Sequence, residues 1–187
     1  MKIEHFLFIG SEESNSYLVS CSETKEAMIV DAGGFDERLS EIVDEQKLNV
    51  RFLFITHSHY DHVEAAEKIL KKYPDLKIVA LQYGKGDNVI RPKDGSDFSL
   101  GRLNGRIYHI PGHTSDMLVL YLNGHLFTGD ALFAGSVGGT TSDTNYEQQL
   151  EGIRTKLLSY PDDTVIHPGH GPNSTIGLEK SFDPFLL

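Results

Sequence analysis

The sequence predicts an α/β sandwich, in which helices cover the outer faces of two β-sheets. Short apolar or alternating segments, which are typical of strands, occur in two groups along the chain. Segments with apolar residues at helical spacing lie between these groups and after the second one. The chain has 187 residues, of which 39% are hydrophobic and 24% charged, and this suits a globular core that needs no disulfide. We therefore expect residues 1–187 to form a single domain.

The first third of the chain begins with strands and ends in a helix. Three segments separated by polar turns predict strands: Ile3–Ile9, Ser16–Ser20 and Ala27–Val30. A glycine-containing turn follows the third strand. Glu37–Lys47 then carries apolar residues at helical spacing, and Asp36 precedes it as the expected N-cap. This part of the chain should therefore end with a strand, a turn and a helix.

The middle of the chain repeats this order. Phe52–Ile55 is an apolar run of strand length, and Val63–Lys72 has helical spacing. Lys77–Leu81 predicts a further strand. Tyr83–Gly105 has no clear period, so we expect a long surface loop there.

The last part of the chain predicts a second group of strands and a helix. The strands are expected at Arg106–Ile110, Met117–Leu122, Leu126–Thr128 and Thr164–His167. The second and third are joined by Asn123-Gly124, a dipeptide that favours a tight hairpin turn. Tyr146–Ser159 has apolar residues at helical spacing. This group should form the second sheet with its covering helix.

Composition and charge exclude several functions. Lys and Arg number 17 against 27 Asp and Glu, which gives a net charge of −10, so nucleic acid is not an expected partner. No apolar stretch approaches the ~18–20 residues that span a bilayer, and the N-terminal residues do not resemble a signal peptide. We therefore expect a cytoplasmic protein with no membrane partner. Cys21 is the only cysteine, so a metal site would depend on imidazole and carboxylate groups.

A dense cluster of potential metal ligands follows the Phe52–Ile55 strand, in the sequence His-Ser-His-Tyr-Asp-His. His57 and His59 are two residues apart in extended backbone, so both can reach one cation. Asp61 and His62 come where the chain turns into its helix and can serve a neighbouring position. Zinc, iron or manganese would accept these nitrogen and oxygen ligands. A solvated polar loop is the simpler alternative interpretation.

Three other segments end strands with residues of the metal-ligand type: Pro111-Gly112-His113, Gly129-Asp130 and Pro168-Gly169-His170. Each segment alone is typical of a turn or a helix cap. Together they supply two imidazoles and a carboxylate that would complete two metal sites. The combination therefore favours a metal centre over four unrelated turns.

In order and spacing, these motifs resemble those of the metallo-β-lactamase-fold hydrolases over essentially the whole chain. The matching motifs are His57-Ser-His-Tyr-Asp-His62, Pro111-Gly-His113-Thr, Thr128-Gly-Asp130 and Pro168-Gly-His170-Gly. Within that superfamily, the segments 127–133, 135–138 and 171–177 are most similar to the glyoxalase II-like branch. The resemblance implies an αββα four-layer sandwich of two mixed β-sheets, with metals at one sheet edge.

The resemblance also implies a ligand set and a reaction. His57, His59 and His113 would hold one metal, Asp61, His62 and His170 a second, and Asp130 would bridge them. The cofactors would be two divalent ions, zinc first, with iron or manganese as alternatives. Water between two such cations becomes hydroxide near neutral pH, so hydrolysis of a small thioester is the implied reaction, of the hydroxyacylglutathione hydrolase type. Asp61 and Asp130 are the residues expected to act in catalysis.

Two alternatives remain open from the sequence. Glyoxalase II-like chains include persulfide dioxygenases, which would use one Fe(II) held by His57, His113 and Asp130. A non-catalytic, metal-binding member of the fold is the other alternative. The ligand residues do not separate these functions.

Two positions and the C-terminal region differ from the glyoxalase II pattern. The basic residue often found in the loop after the bridging aspartate is replaced by Gly139, and Asp116 stands where a glycine is usual. The chain reaches Leu187 without the helical C-terminal extension that helps to grip glutathione. We therefore expect a glutathione thioester to bind weakly.

Overall fold

The computed structural model describes residues 1–9 and 13–187, and in these residues two six-stranded sheets pack face to face between helices. In spatial order, the first sheet contains β1 (Lys2–Ile9), β2 (Glu13–Ser20), β3 (Glu26–Val30), β4 (Asn49–Phe54), β5 (Lys77–Val79) and β6 (Val89–Ile90). The strands β1 to β3 pair antiparallel, whereas β3 to β6 pair parallel. The sheet is therefore mixed, as expected.

The second sheet is also mixed. In chain order its strands are β7 (Ser96–Leu100), β8 (Leu103–His109), β9 (Leu118–Leu122), β10 (His125–Gly129), β13 (Val165–Pro168) and β14 (Ser174–Thr175). Only the β10–β13 pair is parallel. A small hairpin of β11 (Leu132–Phe133) and β12 (Ser136–Val137) lies between β10 and the next helix along the chain.

Helices cover the outer face of each sheet. They are α1 (Glu37–Glu45), α2 (Tyr60–Val63), α3 (Ala66–Lys72), α4 (Asp143–Gly152), which continues as a π-helical turn at Ile153–Leu157, and α5 (Ile176–Phe182). One core cluster joins α1 and α3 to the first sheet, a second fills the space between the sheets, and a third joins α4 and α5 to the second sheet. These three apolar layers confirm the predicted αββα sandwich.

Several local predictions are confirmed. Asn123 and Gly124 both have positive φ angles, 49° and 87°, and join β9 to β10 as the expected hairpin. The Asp36 side chain caps α1 by accepting a hydrogen bond from the backbone N–H of Arg38.

Within the described residues, every helix is too short or too polar to cross a membrane. The single domain expected for residues 1–187 stays a prediction.

The surface loop predicted for Tyr83–Gly105 is wrong. This segment contains the edge strands β6 and β7, one in each sheet, and the start of β8. Edge strands need few apolar residues: in β7, Ser96 and Phe98 are only half-buried and their neighbours are exposed. The hydrophobic period is therefore too weak to mark these strands.

Two predicted helices also differ from the structure. The helix predicted at Val63–Lys72 is two helices, α2 and α3, because the N–H of Ala65 donates to the carbonyl of Ala32. The helix predicted at Tyr146–Ser159 begins earlier and changes to a π-helical turn after Gly152. In both cases the backbone changes where the apolar spacing is continuous.

Candidate metal centre

The predicted ligand residues follow the ends of four strands that meet at one edge of the sandwich. The turn after β4 carries four of them, and the segments after β8, β10 and β13 carry one each. Backbone hydrogen bonds join these turns: the N–H of Leu118 donates to the carbonyl of Thr56, and the N–H of Gly169 to that of Gly129. All seven predicted residues are therefore brought together.

Four of the seven form what we call the first cluster: His57, His59, His113 and Asp130. Each offers a ligand atom, and these atoms lie within 4.8 Å of one another. The Nε2 of His113 is 3.0 Å from the Nδ1 of His59. His57 and Asp130 are buried, whereas His59 is exposed. This position therefore opens towards solvent on the His59 side.

The remaining three residues form the second cluster: Asp61, His62 and His170. Their ligand atoms also lie within 4.8 Å of one another. The Oδ2 of Asp61 is 3.3 Å from the Nε2 of His62 and 3.2 Å from the Nε2 of His170. Two of the three side chains are buried. The second cluster is therefore more enclosed than the first.

Asp130 faces both clusters. Its Oδ1 is 3.4 Å from the Nε2 of His62. Its Oδ2 is 3.3 Å from the Nε2 of His170. The same oxygen is 3.5 Å from the Nε2 of His113 and 3.8 Å from that of His57. The carboxylate thus lies where a group shared by two cations would lie.

The two buried imidazoles are oriented by a shared carboxylate. The Nδ1 of His62 donates to Asp31, with a distance of 2.8 Å to its Oδ2. The hydroxyl of Thr56 donates to the same oxygen, so it can accept the Nδ1 proton of His57, 3.1 Å away. With the proton on Nδ1, each ring directs an Nε2 lone pair into the site.

Backbone carbonyls orient two further imidazoles. The Nδ1 of His113 is 2.7 Å from the carbonyl oxygen of Gly139, and the Nδ1 of His170 donates to the carbonyl of Glu13. Both rings are therefore held in the tautomer that leaves Nε2 free to bind a cation. Four imidazoles converge with their acceptor nitrogens, as metal ligands do.

Two buried polar atoms support a metal in this site. The Nε2 of His57 and the Oδ1 of Asp130 are buried and accept no hydrogen bond from the described residues. A buried acceptor without a partner is costly, and a cation at this point would satisfy both atoms. The His/Asp cluster is thus capable of binding metal.

The pKa shifts follow from burial and from the neighbouring charges. Burial, with the adjacent His62, lowers the pKa of His57 to about 2, so His57 is a neutral imidazole. Burial opposes ionisation of Asp130, but the imidazoles of His170 and His62, which face its oxygens, outweigh this effect and hold its pKa well below the usual range. Burial likewise opposes protonation of His62, yet Asp31 and the other carboxylates raise its pKa.

Glycines leave the space that these side chains occupy. A Cβ atom on Gly169 would lie 2.2 Å from the Oδ1 of Asp130 and 2.7 Å from the Cε1 of His62. A Cβ on Gly138 would lie 1.9 Å from the carbonyl oxygen of Asp130. A Cβ on Gly139, by contrast, would meet nothing within 4 Å. The first two positions therefore require glycine for steric reasons.

The sequence did not single out two residues that support the site. Asp31 directly follows β3, and the ligand turn follows the neighbouring parallel strand β4. A carboxylate at the end of the adjacent strand is the sequence feature that could have indicated its role. Asp116, known from the sequence only as a departure from the family pattern, accepts a 2.6 Å hydrogen bond from the hydroxyl of Ser58. Ser58 lies between His57 and His59, so Asp116 braces the turn that carries them.

A family model described as the metallo-beta-lactamase superfamily matches residues 9–170. With the αββα fold and the His/Asp centre, this match means that the chain belongs to the metallo-β-lactamase superfamily of metallohydrolases.

Two curated relatives carry a more particular name. The chain is 36% identical to hydroxyacylglutathione hydrolase GloC of Haemophilus influenzae, over 88% of this chain and 89% of that protein. It is 32% identical to a hydroxyacylglutathione hydrolase of Tolumonas auensis, over 87% of this chain. The match spans 63% of the Tolumonas protein, so that relative is considerably longer.

Two solved structures are similar over nearly the whole chain. ETHE1 from Myxococcus xanthus has a TM-score of 0.82 at 27% identity, covering 97% of this chain and 83% of that one. TTHA1623, crystallised in a di-iron-bound form, has a TM-score of 0.77 at 28% identity, covering 97% of this chain and all of the other.

Proposed function

We propose that this protein is a dinuclear metal-dependent hydrolase that acts on small thioesters, with hydroxyacylglutathione hydrolase-like activity. The observation that carries the proposal is the position of Asp130, whose two oxygens face the imidazoles of both clusters at 3.3 to 3.8 Å. The printed names of the two curated relatives favour the same activity.

The proposed ligands are the two clusters. His57, His59 and His113 would hold one divalent ion, Asp61, His62 and His170 the other, and Asp130 both. Zinc is the first candidate because imidazole and carboxylate ligands suit it. Iron and manganese accept the same ligands, and the di-iron-bound form of a structural neighbour supports iron as an alternative.

Two such ions would supply a hydroxide nucleophile at neutral pH and polarise the thioester carbonyl. The role of the protein's own residues is to hold the ions in place and to orient the attacking water. Hydrogen bonding to His62 lowers the pKa of Asp61 despite partial burial, so this carboxylate is ionised at neutral pH. It can therefore accept a hydrogen bond from the attacking water and orient it. A thiolate leaves without a strong general acid, and the proposed mechanism needs no serine or cysteine nucleophile.

The proposal is tested by metal analysis together with two assays on the same preparation. Protein purified without added metal is analysed for metal content, then assayed for thioester hydrolysis and for oxygen uptake with a persulfide. We expect close to two metal ions per chain, thioester hydrolysis and no oxygen uptake. One iron per chain with oxygen uptake would contradict the proposal.

That second outcome corresponds to the other candidate function, a mononuclear Fe(II) persulfide dioxygenase. The structural likeness to ETHE1 favours it. The Oδ2 of Asp130 with the Nε2 atoms of His57 and His113 would provide two imidazoles and one carboxylate, the ligand set of many Fe(II) oxygenases. The metal count separates the candidates, because this function uses the first cluster alone.

A further inference from the structure

Two buried carboxamide side chains lie on opposite sides of the metal centre. Among the described residues, Asn15 and Gln149 are the only asparagine or glutamine side chains that are buried. Asn15 belongs to β2 in the first sheet and Gln149 to α4 outside the second. Both form hydrogen bonds with segments that carry proposed ligands.

Asn15 holds the turn that carries His170. Its Nδ2 donates to the carbonyl of Pro168 at 3.1 Å and to that of Gly171 at 2.8 Å. Its backbone N–H donates to the carbonyl of Gly169 at 2.8 Å. These three acceptors lie on both sides of His170, so one residue fixes the turn before and after the ligand.

Gln149 holds the turn that carries His113. Its Oε1 accepts a hydrogen bond from the backbone N–H of His113 at 2.5 Å. Its Nε2 donates to the carbonyl of Gly138 at 2.8 Å. The next residue, Gly139, accepts the Nδ1 proton of the His113 ring. Gln149 thus fixes both the ligand backbone and the strand end that orients its imidazole.

We propose that Asn15 and Gln149 are positioning residues, each of which sets the metal affinity of one cluster: Asn15 that of the second cluster and Gln149 that of the first. The proposal rests on the ligand assignment given under Proposed function. Neither side chain touches the ligand atoms, so each acts through the backbone of its turn.

Hydrogen-bond geometry explains why neither carboxamide can be replaced freely. An apolar replacement of Gln149 would leave the N–H of His113 and the carbonyl of Gly138 without their partners. An apolar replacement of Asn15 would remove the side-chain donor to Gly171, although the Tyr17 hydroxyl still donates to Pro168. The turn would then relax and displace its imidazole. Loss of such a supporting contact typically weakens metal affinity about 10- to 100-fold.

The test uses a protein reduced to one metal position. His59→Ala and His113→Ala together remove two ligands from the first cluster only, so the remaining Zn²⁺ reports the second cluster. Asn15→Leu and Gln149→Met are introduced into this protein, and Zn²⁺ affinity is measured by competition with a chromophoric chelator. We expect Asn15→Leu to weaken binding about 10- to 100-fold. Gln149→Met should change it less than about threefold, which is small against the 10- to 100-fold expected for a supporting contact.

Matched controls exclude a general effect of losing a carboxamide. Asn104 is an exposed residue of β8, and Gln148 is the exposed neighbour of Gln149. Asn104→Leu and Gln148→Met should leave Zn²⁺ affinity unchanged. If Asn15→Leu or Gln149→Met does not fold, Asn15→Ala or Gln149→Ala, which add no bulk, takes its place. Equal losses from Asn15→Leu and Gln149→Met would overturn the proposal.

Hydrogen exchange of the metal-free single variants Gln149→Met and Asn15→Leu tests the positioning role without any metal. Gln149→Met should accelerate exchange of the His113 amide, which Gln149 protects directly, and leave the Gly169–Gly171 amides unchanged. Asn15→Leu should do the reverse. If the parent protein binds no Zn²⁺, the ligand assignment fails while the exchange result still decides the roles of the two carboxamides. If both variants exchange the amides of both turns at the wild-type rate, the positioning roles of the two carboxamides are overturned.

Discussion

The two clusters of the metal centre differ in charge and in access to solvent. The first cluster has three imidazoles of its own, one of them the exposed His59, and its rings are backed by neutral groups, the hydroxyl of Thr56 and the carbonyl of Gly139. The second cluster has its own carboxylate, Asp61, and is backed by the carboxylate of Asp31. The two proposed metal positions therefore differ in electrostatic character.

This difference has a consequence for metal binding. An extra carboxylate ligand and a charged partner behind the imidazole both strengthen attraction to a divalent cation. The second cluster should therefore hold its ion more tightly, and the first should exchange its ion more readily through the open His59 side. The protein should therefore bind its two metal ions in two separate steps.

The largest effect is expected for the residue that both clusters share. Asp130→Ala removes a carboxylate from both positions, so metal content should fall at both and thioester hydrolysis should drop more than about 10³-fold, as for loss of a central electrostatic group. Elemental analysis and an activity assay measure this. Asp97→Ala, which removes an exposed carboxylate paired with Arg106, is the control. Unchanged metal occupancy in Asp130→Ala would contradict the shared position.

The charge difference between the two clusters can be reduced by a single substitution. Asp31→Asn keeps the shape of a residue whose φ is +56°, a conformation that asparagine tolerates, but removes the charge behind His62. The second cluster should lose affinity about 10- to 100-fold, and the two binding steps should approach each other. A Zn²⁺ titration measures both steps. If the Zn²⁺ affinities of the two steps differ as much as in the wild type, Asp31 does not cause the difference between the clusters.

The steric requirement between the clusters is tested with two glycines. Gly169→Ala would force a methyl group against Asp130 and His62, so we expect a loss of about 1–3 kcal/mol in unfolding free energy, as for other overpacked sites. Gly139→Ala is the matched control, because its Cβ would meet nothing within 4 Å. Urea unfolding of both metal-free proteins measures the difference. Equal stabilities would contradict the close packing around Asp130.

The smallest effect concerns substrate binding beside the first cluster. Glutathione carries two carboxylates, and the net charge of −10 does not attract an anion. Gly139→Arg places a guanidinium where the structure leaves space, so KM for a glutathione thioester should fall several-fold, by ~1 kcal/mol of added binding, with little change in kcat. Steady-state kinetics, with Gly139→Ala as the control, measure both constants. A low wild-type KM that Gly139→Arg leaves unchanged would show that the carboxylates bind elsewhere.

Much of the fold and all seven proposed ligands could be predicted from the sequence, because both depend on local patterns. Strand ends followed by His, Asp or Gly mark the ligand turns, and the Asn123-Gly124 hairpin follows from two residues that accept positive φ. The edge strand β7 shows no such pattern, because only two of its five residues, Phe98 and Leu100, are apolar.

The supporting residues could not be predicted, because their roles depend on contacts between distant segments. Asn15 donates to a carbonyl 153 residues away, and Gln149 accepts from an N–H 36 residues away. Nothing in the residues next to either carboxamide distinguishes it from an exposed one. Only the folded arrangement assigns them to the metal centre.

The contact between Asn15 and the turn at 168–171 also bears on the order in which the protein is made and folds. Synthesis proceeds from the N-terminus, so β2 is complete long before the segment that Asn15 must bind. Closing so long a loop costs conformational entropy. A nascent chain that has reached residue 150 contains every ligand of the first cluster but lacks His170. The second cluster can therefore assemble only after nearly the whole chain has been synthesised.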